Sequence, residues 1–282
     1  MQFTAKKEQK ILEILSQMSP DSSKNTLRSW LKLERVCVNG SIIKGTNNLV
    51  NSGDVITVGK KQEIPDKGIK IIFNDHEVIV VDKPVGILSV STDHGNEKNL
   101  HSYLKEKYHP KRVHVIHRLD RETSGLILYA HTDQATSKLK DMLEKRLIKR
   151  EYRAIIEGTL EKKTGTWESY LYEDQNFKVH SSGDASKGKR AVTHYEVLAS
   201  TKGYSYLRLN LESGRKNQIR VHCYDAGHPI IGDVKYGAVA DPLKRLCLHA
   251  HKLTFQHPLN GKAMAFESPV PIEYSKLFKE LR

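Results

Sequence analysis

The sequence predicts an α+β fold in two units, a small α/β module over residues 1–60 and a larger sheet-based domain over 69–282, joined by a linker at 61–68. Three observations lead there. Short apolar, β-branched runs bounded by turn residues recur from position 69 onward, while only a few stretches carry helical periodicity. Two short helical stretches followed by short strands fill the first 60 residues. Between them, Lys60 to Gly68 is polar and carries Pro65 and Gly68, the composition of a connector.

In the first unit, Ile11, Leu12, Leu15 and Met18 recur at helical spacing. Ser19-Pro20-Asp21-Ser22 breaks that helix and can cap the next. The second helix has Leu27, Trp30 and Leu31 on one face and Lys24, Arg28, Lys32 and Arg35 largely along another side. Val36-Cys37-Val38 is a strand ending in an Asn39-Gly40 hairpin turn. Asn51-Ser52-Gly53-Asp54 turns into the strand Val55–Val58. This order of elements, with its Val-Asn-Gly and Gly-Asp-x-Ile-x-Val segments, resembles the RNA-binding module of ribosomal protein S-four. The arginine-rich helix start is only partly present, as Thr26-Leu27-Arg28-Ser29-Trp30. A basic helical cap on the main domain is the alternative.

In the second unit, Ile69–Phe73 and Val78–Val81 form a hairpin across Asn74-Asp75-His76-Glu77, ending at Asp82-Lys83-Pro84-Val85-Gly86. Asn99 to Tyr108 is a helix with Leu100, Tyr103, Leu104 and Tyr108 near one face. Val113–Ile116 and Leu126–Ala130 are strands, and the loop between them carries Arg118, Asp120, Arg121 and Glu122. Such loops present reactive groups on a rigid scaffold. Arg118 and Arg121 flank Asp120 and favour its ionised form. Thr132 or Asp133 caps a long helix from Gln134 to about Lys149, with a basic tail over Lys145–Arg150. Glu151–Gly158, Ala191–Leu198 and Tyr206–Leu211 are further strands. Gly183 to Arg190 nearly spells a phosphate-binding loop, but Arg190 stands where magnesium-binding Ser or Thr belongs, and a strand follows. Arg215 to Ala226 has helical character, ended by Gly227. A short helix closes the chain after Pro269 and Pro271.

Composition narrows the function. The formal charge is +13, which favours a polyanionic partner, nucleic acid before membrane. No apolar run approaches the roughly 20 residues of a membrane-spanning helix, and the N-terminus lacks the apolar core of a signal peptide. Cys37, Cys223 and Cys247 form no disulfide or zinc pattern, so a reducing cytoplasm is the expected location. Fourteen histidines include the pair His249 and His251, without cysteine pairs at zinc-site spacing, so no metal site is expected.

The loop His117-Arg118-Leu119-Asp120-x-x-Thr123-Ser124-Gly125 resembles the signature of the RluA-type pseudouridine synthases. Five more blocks stand in the family's order, one before this loop and four after it: Asp82-Lys83-Pro84-x-Gly86; Arg150-x-Tyr152-x-Ala154-x-x-x-Gly158; Gly214-Arg215-x-Asn217-Gln218-Ile219-Arg220-x-His222; Gly227 to Gly237; and Leu248 to Pro258. Two departures stand out. Arg150 replaces a lysine, which changes hydrogen-bond geometry while keeping charge. Asn217 replaces the usual histidine, whose role is thereby in doubt.

The resemblance implies a mixed, mainly antiparallel central sheet with flanking helices, and isomerisation of uridine in RNA to pseudouridine without a cofactor. It implies Asp120, Tyr152 and Arg220 as catalytic residues, and Arg118, Lys83, Gln218 and His222 as substrate-binding ones. The uracil must leave the stack before a side chain reaches its glycosidic bond. Arg118 would fill the vacated space, Asp120 would attack the sugar or assist departure of the base, Arg220 would hold Asp120 ionised, and Tyr152 would pack on the base. The expected partner is RNA, ribosomal RNA ahead of tRNA, bound by a monomer. The rival readings are a non-catalytic RNA-binding or ribosome-assembly protein, and a metal-dependent hydrolase. The latter suffers from the lack of a second carboxylate near Asp120 other than Glu122.

Overall fold

The computed structural model describes residues 1–32, 35–59, 68–91 and 99–278. These fall into two compact units, 1–59 and 68–278. Apart from Gly68, the expected linker lies outside the described residues.

The first unit contains β1 (Gln2–Thr4), β2 (Gln9–Lys10), α1 (Ile11–Met18), α2 (Lys24–Lys32), β3 (Val36–Val38), β4 (Ser41–Ile42), β5 (Leu49–Val50) and β6 (Val55–Val58). The strands pair in the order β1-β6-β3-β4, with β2 and β5 as a separate ribbon. α1 buries Ile11, Ile14 and Leu15 against Leu27, Trp30 and Leu31 of α2. Ser23, one residue past the expected Ser19–Ser22 segment, caps α2 by accepting from Thr26 N at 3.2 Å. Asn39 and Gly40 both adopt positive φ, 50° and 81°, the conformation an Asn-Gly hairpin turn requires. The Asn39 amide then bonds Asp54 at 2.7 Å and accepts from Val55 N at 2.9 Å, tying the unit's two turns together. Two helices against a small sheet is the architecture the S-four resemblance implies.

The second unit continues with β7 (Lys70–Asn74), β8 (Val78–Lys83), α3 (Leu100–Lys107), β9 (His114–Val115), β10 (Ser124–Ala130), α4 (Asp133–Glu144), β11 (Lys149–Glu157), β12 (Thr164–Glu173), β13 (Val179–Ser182), β14 (Lys189–Thr201), β15 (Tyr204–Leu211), α5 (Gln218–Asp225), β16 (Leu248–Gln256) and β17 (Ala263–Glu267). Eleven strands form one sheet in the order β13-β12-β14-β15-β11-β16-β10-β8-β7, with β17 on β16 and β9 on β10. Its pairs are antiparallel except β10 with β16. This is the mixed, mainly antiparallel sheet with flanking helices that the resemblance implies.

The parallel pair sits mid-sheet and needs Gly125. At φ 107°, a Cβ there would lie 2.2 Å from Ala250 O. β10 is buried along its whole length, between β8 and β16. One core packs Val78, Val80, Leu126, Leu128, Ala135, Leu139 and Phe255. A smaller one packs Val221 of α5 and Tyr236 against Leu171, Val179 and Ala191.

Two helix boundaries need correction. α4 ends at Glu144, not near Lys149, because Arg146 takes positive φ (59°) and turns the chain into β11. The buried Ile148 and the strand pairing that starts at Lys149 outweigh the basic helical tail. α5 begins at Gln218, not Arg215, because Asn217 is left-handed (φ 52°) and cannot continue a helix. The near-phosphate loop leads into β14, as the strand reading of that segment required.

Candidate active site

Asp120 stands in the loop that enters β10, and the chain holds it from both sides. Ser89 Oγ donates to Leu119 O at 2.7 Å and accepts from Leu119 N at 3.0 Å. On the other side, Arg121 O accepts from Gly86 N at 2.8 Å and from Lys83 Nζ at 3.2 Å. A carboxylate fixed through the backbone of both neighbours loses little freedom when it reacts.

The groups that bond its carboxylate come from far down the chain, not from the flanking arginines. Asn217 Nδ2 donates to Asp120 Oδ2 at 2.6 Å, and Arg220 Nη1 donates to the same oxygen at 3.3 Å. Arg220 is itself buried and donates through Nε and Nη2 to the two oxygens of Asp233, both at 2.7 Å. This fork-to-fork pairing fixes the guanidinium plane and leaves Nη1 for Asp120. Nη1 also lies 3.6 Å from Glu122. Burial works against the Arg220 charge, but the hydrogen bonds and charge of Asp233, followed by Asp120, outweigh it and hold its pKa above that of a free arginine. The Tyr236 ring lies beneath the guanidinium, 5.2 Å from centroid to Cζ.

Asn217 is oriented by the same block. Its Oδ1 accepts from Tyr236 Oη at 3.2 Å and from Lys235 Nζ at 3.5 Å, which turns the amide nitrogen toward Asp120. The left-handed backbone at Asn217 is well suited to asparagine.

These residues open onto a cavity of about 650 Å³, within the roughly 300–1,000 Å³ usual for ligand sites. Its walls include His117, Arg118, Asp120, Tyr152, Asn217 and Arg220, with Arg146, Arg150, Arg190, Arg215 and Lys216 toward the rim. Arg118 is exposed and pairs with no described acid. Tyr152 is buried, and desolvation, opposed by Arg150 and aided by Asp120, raises its pKa. Burial, helped by Arg150, pushes His117 down to about 3, so the ring is neutral. Its Nε2 accepts from Leu128 N at 3.2 Å, which places the proton on Nδ1, a buried atom without a partner among the described residues. Arg150 Nε is likewise buried and unpartnered among them.

The structure thus brings Asp120, Tyr152, Arg220 and Arg118 around one cavity. Three of the residues that the resemblance implies for substrate binding have partners inside the fold. Lys83 is fully buried away from the cavity wall, and its ammonium donates to Pro84 O, Ile87 O and Arg121 O at 3.0, 2.8 and 3.2 Å. Burial pulls its pKa down to about 7, against the charges of Asp120 and Glu122. The three acceptors demand three N–H donors, so the geometry holds the ammonium form. Gln218 spends its amide inside the protein, accepting from Ser213 Oγ and Arg215 N and donating to Val192 O and Thr193 Oγ1. His222 lies between Ser169 and Thr193, and burial lowers its pKa to about 4. Lys83 and His222 stand outside the cavity lining, whereas Gln218 is part of it. Asp233, Lys235 and Tyr236, inside the Gly227–Gly237 block, are the residues that the sequence did not single out. A carboxylate and an aromatic inside a Gly-rich turn were the available signal.

A known family matches this arrangement. Residues 77–225 match the model for RNA pseudouridylate synthases. The chain belongs to that family, and it is an RNA pseudouridine synthase of the RluA type, an isomerase. It is 33% identical to ribosomal large subunit pseudouridine synthase D of Neisseria meningitidis serogroup B over 292 residues, covering 95% of this chain and 78% of the relative. It is also 33% identical over 268 residues to an RNA pseudouridine synthase of Bacillus subtilis whose own role is uncharacterised, covering 91% and 88%. The structure of human RNA pseudouridylate synthase domain containing 1 superposes with a TM-score of 0.61 at 21% identity, covering 78% of this chain and 97% of that one, which shows the shared fold.

Proposed function

We propose that the substrate is a uridine in a large structured RNA, ribosomal RNA ahead of tRNA, and that Asp120 is the group that acts on it. The observation that carries the second claim is the pair of hydrogen bonds that Asn217 and Arg220 donate to one Asp120 oxygen. Both donors are anchored elsewhere, so the remaining oxygen is left to meet the sugar or the base. In the reaction the bond from C1′ to N1 breaks, one from C1′ to C5 forms, the C5 hydrogen leaves as a proton and N1 takes one up. Asp120 serves either as nucleophile on C1′ or as a charge that assists departure of uracil. Arg118, exposed and unpaired at the wall, suits the space left by the extruded nucleoside. Tyr152, whose pKa burial raises, packs on the base and helps move a proton.

The preference for ribosomal RNA rests on the names of the relatives and on the basic first unit. In that unit Arg35 stacks over Trp30 at 5.1 Å beside the lysines of α2. The cationic rim is suited to the phosphates of either RNA. The working form we infer is a cytoplasmic monomer.

Release of tritium from RNA labelled at uridine C5, in buffer without magnesium, tests the reading. Asp120→Asn is expected to abolish release while sparing RNA affinity. Unchanged turnover in that variant would remove Asp120 from the chemistry. Mapping pseudouridine in ribosomal RNA and tRNA from cells lacking the protein tests the substrate. A site missing from tRNA alone would reverse our preference.

A further inference from the structure

The hairpin joining β12 to β13 carries a side chain that stability does not explain. Asp174 N donates to Lys178 O at 2.9 Å and Phe177 N to Asp174 O at 3.0 Å, closing a three-residue loop over positions 175–177. In this loop type the last residue is left-handed and is usually glycine. Here it is Phe177, with φ 59°. The backbone is strained and the ring is 69% exposed, so the phenyl group gains little burial in return. Strained positions of this kind gather where a residue acts on a ligand.

The surroundings identify the ligand. Lys216 Nζ lies 5.7 Å from the Phe177 ring centroid. Lys216 and Lys235 both donate to Phe177 O, each at 3.3 Å. The base of the hairpin is tied down as well, because Val179 N donates to Tyr236 Oη at 3.3 Å. Lys235 and Tyr236 are the same two groups that orient Asn217 toward Asp120. The ring is therefore held at a set offset from the Asp120 carboxylate, beside Lys216 on the cavity rim. An exposed aromatic face among lysines is the combination that binds an unstacked nucleobase together with its phosphate.

We propose that Phe177 is a second base-binding site, stacking on an unpaired nucleobase that flanks the uridine in the cavity. The site rests on the reading that RNA enters that cavity. A stack tolerates any base, so it adds affinity and register rather than sequence preference.

The test separates the ring from the fold. Phe177→Gly relieves the left-handed strain while deleting the aromatic face. With total RNA tritiated at uridine C5, taken from cells lacking the protein, this variant is expected to unfold at or above the native temperature and to keep kcat. Its KM is expected to rise by roughly 5- to 150-fold, the range of one base–aromatic stack. Phe177→Trp is expected to restore a near-native KM. A native KM in the glycine variant would overturn the proposal. So would a tryptophan variant no better than glycine, or a glycine variant that unfolds earlier and loses kcat. Failure of the Asp120 assignment would show separately, in the turnover of Asp120→Asn with native Phe177.

Discussion

Replacing Asp233 by Asn removes one charge and nothing of the shape around Arg220. The native carboxylate receives two guanidinium bonds of 2.7 Å in a fully buried position. An asparagine keeps one acceptor and turns its NH₂ toward the other donor. Breaking a buried ion pair costs roughly 3–5 kcal/mol. The retained bond to a charged group returns part of that, on the order of 1.5–3 kcal/mol, which leaves a net loss of about 1.5–2 kcal/mol. In a unit of this size each kcal/mol lowers the unfolding temperature by roughly 2–4 °C, so calorimetry is expected to show a fall of about 3–8 °C. The guanidinium also loses its fixed plane, so Nη1 no longer meets Asp120 at a set position. In the tritium-release assay kcat is expected to fall, by up to roughly 100-fold for a misplacement near 1 Å, with KM little changed. Arginine stays protonated throughout the accessible pH range, so the shape of the pH–rate profile is expected to persist. An Asp233→Asn variant with native kcat and native unfolding temperature would refute the anchoring argument.

Lys83→Met leaves buried carbonyls of Pro84, Ile87 and Arg121 without their donor. It is expected to lower the unfolding temperature and to reduce kcat more than it raises KM, since Arg121 adjoins Asp120; a KM effect alone would return Lys83 to substrate binding. Gly125→Ala forces a Cβ to within 2.2 Å of Ala250 O at positive φ. A loss above about 4 kcal/mol is expected, read as insoluble or early-melting protein, and native stability would contradict the close approach. Acid sensitivity follows from burial of His117, His222 and His249, whose pKa values fall to about 3, 4 and 3. The unfolded chain protonates them near pH 6.5, so it binds more protons than the fold below that pH. Their stability is full above about 6.5 and drains as pH falls toward 4 and 3. Urea midpoints are expected to drop across that window and to drop less in His222→Asn; a flat profile would remove the histidines from the account.

What could be read in the residues depended on range. Local punctuation was legible: the Asn39-Gly40 turn, the capped helix at Asn99, and the apolar runs of β8 and β10 have local causes. Arg118, Asp120, Tyr152 and Arg220 were legible because a family motif holds each. The α4 terminus was not, since a basic helical tail lost to strand pairing that only the folded sheet supplies. Nor was the inward use of Lys83, Gln218 and His222, because a polar side chain looks the same in sequence whether it faces a ligand or a buried carbonyl. Asp233 escaped because its partner is defined by the turn that follows α5, not by any spacing to Asp120.

The distance along the chain between Asp120 and its partners has a consequence for biosynthesis. Asn217 and Arg220 follow it by 97 and 100 residues. At a translation speed of roughly 5–20 residues per second, the reactive carboxylate waits about 5–20 s for them. β16, which runs alongside β10 in the same direction, is made later still. The side chains that fix this carboxylate are therefore still to be made when its own loop leaves the ribosome.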